Sequence, residues 1–398
     1  MDDINWQPHA ANLAKDLTDI GAIRDPDWAV TFAATPRHVF VPRFYQMDEF
    51  NQPRTLVDSA DSVEQDRPLE TIYSDQVLVT HYQVLDGKMP DGQEIRTATS
   101  SASMPSIVAT MLDRLTVQVG QRVLEIGTGT GYNAALLANR LGDEHVTSIE
   151  VEPETAAEAA EHLHTAGLRP ALVVGDGAAG HPARAPYDRI IATCAADRIP
   201  SAWIDQLADG GIIVAPLAVG GMLVVLHKTS LGTVSGRVDA QPVGFMPLRP
   251  AGQHMPDGWV ADIPNTRLEH HTTTCVEPQA WADPNFQLWL GLHRPGMQTS
   301  LWLDDAGGYY ASGVYTATGR ATVDYTAGAS GDWPVTQDSE RVWDTVEAAW
   351  VTWQQHGRPD RTRIGITAQV DGDQYAWIDD QDGPMRWPLP TPKPCYGT

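Results

Sequence analysis

The stretch Val123-Leu-Glu-Ile-Gly-Thr-Gly-Thr-Gly131 carries the clearest chemical signal in the chain. An apolar run that ends in closely spaced glycines reads as a strand turning sharply at the carboxyl edge of a sheet, where bare backbone can approach a ligand. The spacing discriminates between ligands. A dinucleotide fingerprint needs Gly-x-Gly-x-x-Gly, which asks for glycine at 132, yet that position is Tyr132 and Gly131 comes one place early. An acid, Glu125, precedes Gly127 and Gly129. A diphosphate favours an open helix N-terminus without acids nearby. A sulfonium with an amino acid tail carries positive charge and no phosphate, so it tolerates the carboxylate. Glu150 ends the next expected strand, where a carboxylate can take both ribose hydroxyls. Asp176-Gly177 ends the one after and can hold an adenine amine. Each feature alone also reads as a tight turn or a solvated loop acid. Together, at three successive strand ends, they point to a nucleoside-containing ligand. His162 and His164 lie two apart on an expected helix and cannot share a face as metal ligands would, so they read as solvated and no metal is expected.

These residues need elements to hold them. Pro105 can open a helix with Ile107, Met111, Leu112 and Leu115 on one face. From there strands are expected at 122–126, 146–149, 171–174, 189–192, 212–217 and 223–226. Helices at 133–140, stopped by Gly142, and 155–166, closed by Gly167, separate the first of them. That alternation means a mostly parallel sheet covered on both faces. Residues 5–50 read as helical, with Leu13, Leu17 and Ile20 on one face. Residues 51–98 read as loop-rich around a short strand, Val77-Leu-Val79, with Asp86-Gly87 and Asp91-Gly92 as turns. Beyond 252 the character changes. Only Trp6, Trp28 and Trp203 precede that point, and the other tryptophans follow it. Hairpins are expected around Asp304–Gly308 and Asp371-Gly372, and a helix over 342–355 carries an aromatic stripe, Trp343, Val346, Trp350 and Trp353, read as core packing. The last sixteen residues are rich in proline and expected to be extended.

Composition narrows the classes. At 398 residues the chain is long enough for two or three units, with 42% apolar residues and no run long enough to span a bilayer. The net charge of −24 argues against a phosphate backbone as partner. Cys194, Cys275 and Cys395 are far apart, and the acidic start lacks the order of a signal peptide. An intracellular, cytoplasmic setting without a membrane partner is therefore expected.

Taken in order, these residues resemble the protein-L-isoaspartate O-methyltransferase family. Thr35–Pro42 is similar to its N-terminal proline–arginine motif, Ile72-Tyr-Ser-Asp75 to its tyrosine–aspartate segment, and Ser100–Pro105 to the segment that carries its active-site serine. The match continues through Val123–Gly131, Glu150, Asp176-Gly177, 185–190, 199–204 and 206–211, closing with an expected strand over Val243–Leu248. The resemblance implies a doubly wound, Rossmann-like α/β sheet binding S-adenosyl-L-methionine, with S-adenosyl-L-homocysteine as product. It implies that Glu125, Gly127, Gly129, Gly131, Glu150, Asp176 and Gly177 bind the cofactor, that Ser103 is the active-site hydroxyl, and that Asp75 and Ser101 contact substrate. Ser103 also reads as the N-cap of the helix opened by Pro105.

Two departures alter the rim of the expected substrate pocket: Ser100 and Ser101 replace the family's glutamine and threonine, and about fifteen residues are inserted around His81–Arg96. The third is the length. Residues 1–251, helical over about 1–50, correspond to the family, while 252–398 form an α+β extension, either a peptide-recognition module or a stabilising addition with its own core. Long forms occur in clusters for ribosomally made, modified peptides, where an aspartate in a constrained peptide is methylated and the ester collapses to aspartimide or isoaspartate. That substrate is the expectation here. Repair of isoaspartyl sites in proteins is the alternative, and a non-catalytic binding protein on the same fold is a second.

Overall fold

The computed structural model describes residues 5–48, 52–59, 66–88, 92–230, 232–250, 265–304, 307–328, 331–370 and 372–390. The boundary expected at 251–252, Cys395, Asp91 and Asp371 of two expected turns, and the end of the proline-rich tail lie outside the described residues.

The chain opens with α1 (Gln7–Asp19), which buries Ala10, Leu13, Ala14 and Leu17, and α2 (Pro26–Ala34), started by Pro26 and capped by the Asp25 carboxylate, which accepts from the Asp27 amide at 3.0 Å. One helical turn, α3 (Arg37–Phe40), follows Pro36. The region expected to be loop-rich is instead a sheet, whose first strand already interrupts the stretch read as helical to residue 50. Strands β1 (Arg43–Met47) and β2 (Pro53–Asp58), helix α4 (Asp66–Ile72), and strands β3 (Leu78–Lys88) and β4 (Glu94–Ala102) give the antiparallel order β2-β1-β3-β4. The inserted residues lengthen β3 and β4 into one hairpin. Its half-buried threonines, serines and glutamines lack the clean apolar alternation that announces a strand.

After α5 (Pro105–Leu115) come β5 (Val123–Ile126), α6 (Tyr132–Leu141), β6 (Val146–Glu150), α7 (Pro153–Thr165), β7 (Ala171–Val174), β8 (Tyr187–Ala192), α8 (Ser201–Gln206), β9 (Leu207–Leu217), β10 (Met222–Ser230) and β11 (Thr233–Val238). Strands β7-β6-β5-β8-β9 are parallel, and β5 stands where the chain turns from one side of the sheet to the other. Such a switch point leaves a crevice at the carboxyl ends of the strands. From β9 onward the sheet is antiparallel, so the expectation of a mostly parallel sheet holds for only half of its strands. The expected strand over Val243–Leu248 is extended chain with one bridge, Ala195 to Pro247, because Pro242 and Pro247 cannot donate to a ladder.

The remaining elements are β12 (His270–Thr274), α9 (Pro284–His293), β13 (Gln298–Leu303), β14 (Tyr309–Tyr315), β15 (Arg320–Asp324), β16 (Trp333–Gln337), α10 (Val342–Gln355), β17 (Ile364–Gln369), β18 (Gln374–Ile378) and β19 (Arg386–Pro388). A separate sheet, β12-β16-β15-β14-β13, packs on α10, whose Trp343, Trp350 and Trp353 are buried, as the stripe suggested. The second expected hairpin, β17–β18, joins the large sheet: β17 pairs with β11, extending it to ten strands. One buried cluster accordingly contains Ile126, Trp203 and Leu226 together with Trp289, Trp350 and Ile366.

Candidate functional site

The crevice at the end of β5 opens into a cavity of about 820 Å³. Its floor is the glycine loop. Gly127 has φ +92°, a left-handed backbone that side chains disfavour, and a Cβ there would stand 2.9 Å from Thr193 Oγ1. The Thr193 hydroxyl donates to the Gly127 carbonyl at 2.6 Å, which fixes the turn. Gly131, with φ +88°, serves a different purpose: it opens α6 and lets α7 approach, a Cβ there meeting Ala159 at 3.4 Å. It lies behind the cavity wall that Gly127 and Gly129 form. His162, read as solvated, is half-buried, and its Nδ1 is 3.0 Å from the Thr130 carbonyl, bracing the loop from α7.

Two carboxylates face this floor. Glu125 is fully buried and accepts from Asn133 Nδ2 at 2.7 Å and Ser148 Oγ at 2.6 Å. Burial pushes its pKa up to about 7; the two hydrogen bonds pull it back, and nearby Glu150 pushes it up. Glu150 accepts from the Gly129 amide at 2.9 Å and from the amides of Val151 and Glu152 at 2.9 and 3.1 Å. Those amides orient it: Oε1 takes two of them and Oε2 one, so Oε2 keeps a free lone pair. Gly177 lines the cavity at a place where a Cβ would stand 2.6 Å from Ile126 Cγ2, and its carbonyl accepts from Trp203 Nε1 at 2.8 Å. Asp176, beside it, accepts from the Ala178 amide at 2.8 Å and is not part of the wall.

The opposite wall is β4 and the start of α5, where Ser101 and Ser103 line the cavity. Ser103 is not the N-cap of α5. Met104 holds that position without a side-chain bond, and Asp75 Oδ1 accepts from the Ser106 amide at 2.8 Å. Asp75 thus secures the helix start from outside the cavity. Arg37, missed as a site residue although it sits in the motif at 35–42, is wholly buried and donates to the carbonyls of Ser103 (3.2 Å) and Gln76 (3.4 Å). Its guanidinium lies 5.2 Å from the centre of the Tyr132 ring, and burial lowers its pKa. The sequence also did not reveal Thr193 and Cys194, which follow β8, as part of the wall; nothing local marks them. Burial raises the Cys194 thiol to about 12, so it is protonated.

The cavity fits a cationic nucleoside without phosphate. Its loop end presents two carboxylates, and three buried polar atoms on its wall, Ser100 Oγ, Asn133 Oδ1 and Tyr132 OH, have no hydrogen-bond partner among the described residues.

Residues 9–252 match the family model described as protein-L-isoaspartate(D-aspartate) O-methyltransferase. The chain is similar to a protein-L-isoaspartate O-methyltransferase of Ignicoccus hospitalis, 42% identical over 172 residues that make up 42% of this chain and 79% of the relative. It is also similar to protein-L-isoaspartate O-methyltransferase 1 of an Anaeromyxobacter species, 36% identical over 251 residues, 62% of this chain and 97% of the relative. A solved protein-L-isoaspartate O-methyltransferase shares the fold with a TM-score of 0.50 at 20% identity, over 93% of this chain and 99% of its own. That likeness of fold extends beyond residue 252.

Proposed function

This chain belongs to the protein-L-isoaspartate(D-aspartate) O-methyltransferase family, uses S-adenosyl-L-methionine, and we propose that it esterifies an isoaspartyl carboxylate of a protein or peptide. One observation carries the reading at the site: a single cavity runs from the glycine loop, Glu125 and Glu150 to Ser103. In this reading Gly127, Gly129 and Gly177 cradle the cofactor with backbone, Glu150 takes its ribose, and Glu125 offsets its positive charge. The cofactor supplies a methyl group on a sulfonium leaving group.

The protein needs no general base, because a carboxylate with an unperturbed pKa of about 4 is already ionised at neutral pH. What remains is alignment and exclusion of water, which demands that the acceptor oxygen be held within ~3.5 Å of the methyl carbon. Ser103 donates to that carboxylate, and Arg37 fixes Ser103 through its carbonyl. The product ester is neutral and loses its attraction to the hydroxyl, which favours release.

A second reading, methylation of an ordinary aspartate in a constrained, ribosomally made peptide followed by collapse to aspartimide, is supported by the inserted hairpin and by Ser100-Ser101 at the rim. The names of the relatives favour the isoaspartyl substrate. The test is mass spectrometry of a linear isoaspartyl peptide, its aspartyl twin and a macrocyclic aspartyl peptide incubated with the protein and cofactor. Gain of one methyl on the isoaspartyl peptide is expected. Methylation of the macrocycle alone selects the second reading, and methylation of none, with cofactor bound, defeats both.

A further inference from the structure

Strand β4 is an edge. Among the described residues it pairs with β3 alone, and its other side is turned away from its own sheet. Successive side chains of a strand point to opposite faces. A cavity lying on one face would therefore touch every second residue, yet this one touches each residue from 95 to 103 without a break. It runs along the strand's edge, where the main chain is within reach. The two ends of that edge are closed. At one end the Arg96 amide donates to Gln52 Oε1 at 2.8 Å; at the other the Ser101 carbonyl abuts the glycine loop, 3.6 Å from where a Cβ on Gly129 would lie. Between them lies an open length of roughly 15 Å at ~3.3 Å per residue, and it leads directly to Ser103. Its far end carries an apolar patch beside Gln52 and Arg96: Ile95, paired across the hairpin with buried Leu85, and Met47 stand on the same wall.

We propose that the edge of β4 takes the polypeptide flanking the reacting carboxylate as an added strand, and that Met47, Leu85 and Ile95 receive an apolar side chain at its distal end. This rests on the peptide-carboxylate reading above and specifies how the substrate is read. Main-chain pairing gives affinity without regard to sequence, while the distal wall selects one side chain. A long edge exposed to solvent invites aggregation, and natural proteins blunt such edges; here Gln52 and the glycine loop close the two ends and only the stretch between them stays open.

The experiment uses the full-length protein and isoaspartyl peptides lengthened one residue at a time on the N-terminal or the C-terminal side, followed by N-methylation of each flanking amide in turn. KM should fall roughly tenfold as about five residues are added on one side only. N-methylation should raise KM about fivefold at alternate positions and leave the others unchanged, because only every second amide of an added strand faces β4. A leucine at the distal position should bind better than a glutamate. Turnover that ignores flank length and N-methylation, or that gains equally from both flanks, overturns the proposal while leaving the methyl-transfer reading standing. If no peptide in the series is methylated although S-adenosylhomocysteine binds, the methyl-transfer reading itself fails and this one with it.

Discussion

At the scale of single residues, Glu125 carries an unusual load. Its carboxyl is buried with no cation beside it among the described residues; Glu150 on β6 and Cys194 after β8 are the titratable groups that face it. Its folded pKa, about 7, lies above the unfolded value of about 4.3. Its contribution to stability is therefore complete below pH 4 and lost as pH rises through 7. In Glu125→Gln the penalty disappears: the cofactor-free variant should exceed the native protein by up to roughly 3 kcal/mol above pH 7, with the difference vanishing towards pH 4. Denaturant melts at pH 4.5 and 8 measure it, and equal gains at both would refute the assignment. The same variant should bind the cationic cofactor more weakly and its neutral product about as before, by calorimetry. Gly127→Ala tests the loop. Its φ of +92° and the contact with Thr193 predict a loss of about 1–3 kcal/mol in stability, together with at least a tenfold loss of affinity for S-adenosylhomocysteine. The glycine loop and both acids were legible because they occur together, at and beside successive strand ends. Asp75 and Asp176 show why position is harder to read than residue type: short acids also cap helices and turns, and here each accepts a backbone amide from beside the cavity wall.

At the scale of elements, the core strand–loop–helix units were readable from local pattern, and the wall opposite them was not. Strand β7 is wholly apolar and β5 is interrupted only by Glu125, so both follow from a few residues, while β6, Val-Thr-Ser-Ile-Glu, is legible from its β-branched residues between Gly142 and Pro153. Strands β1 to β4 are half-exposed and polar, and what makes them strands is pairing with one another across an insertion. Arg37 belongs to this scale, because it ties α3 to the start of α5 and to the chain after Ser74. In Arg37→Met the carbonyls of Ser103 and Gln76 lose a buried donor, at a cost of about 1–3 kcal/mol. Ser103 should then be misplaced, so kcat is expected to fall by at least tenfold while the affinity for S-adenosylhomocysteine holds. A variant that loses product affinity in the same proportion would mean that Arg37 supports the whole cavity instead of the serine. Arg37→Lys, which keeps a cationic donor on a shorter reach, should recover part of kcat.

At the scale of the whole molecule, the question is what residues beyond 252 contribute to a site that none of the described ones among them lines. Three ties bear on it. Strand β17 covers the edge of β11, so without it the large sheet would end in an unpaired strand. Buried Arg361 donates to the Gly220 and Gly221 carbonyls at 3.0 and 3.4 Å, holding the turn between β9 and β10. Gln374 on β18 grips Ile199 with both ends of its amide, its Oε1 accepting from the Ile199 amide at 2.9 Å and its Nε2 donating to the carbonyl at 2.7 Å. Ile199 lies a few residues beyond Thr193 and Cys194, which line the cavity. No local signal in the sequence could announce such long-range pairing. We propose that the extension, which supplies three of the ten strands of the catalytic sheet, acts as a structural part of it before it acts as a recognition module. A chain ending at residue 250 should then aggregate or melt well below the full protein, and any soluble fraction should bind S-adenosylhomocysteine weakly. Gln374→Leu offers the milder version: loss of the paired amide costs about 1–3 kcal/mol and should weaken product binding through the 193–199 segment, with the fold retained by circular dichroism. If the truncated chain folds, binds the product with native affinity and loses only turnover of peptide substrates, the extension is a recognition module and the three ties are incidental to the site.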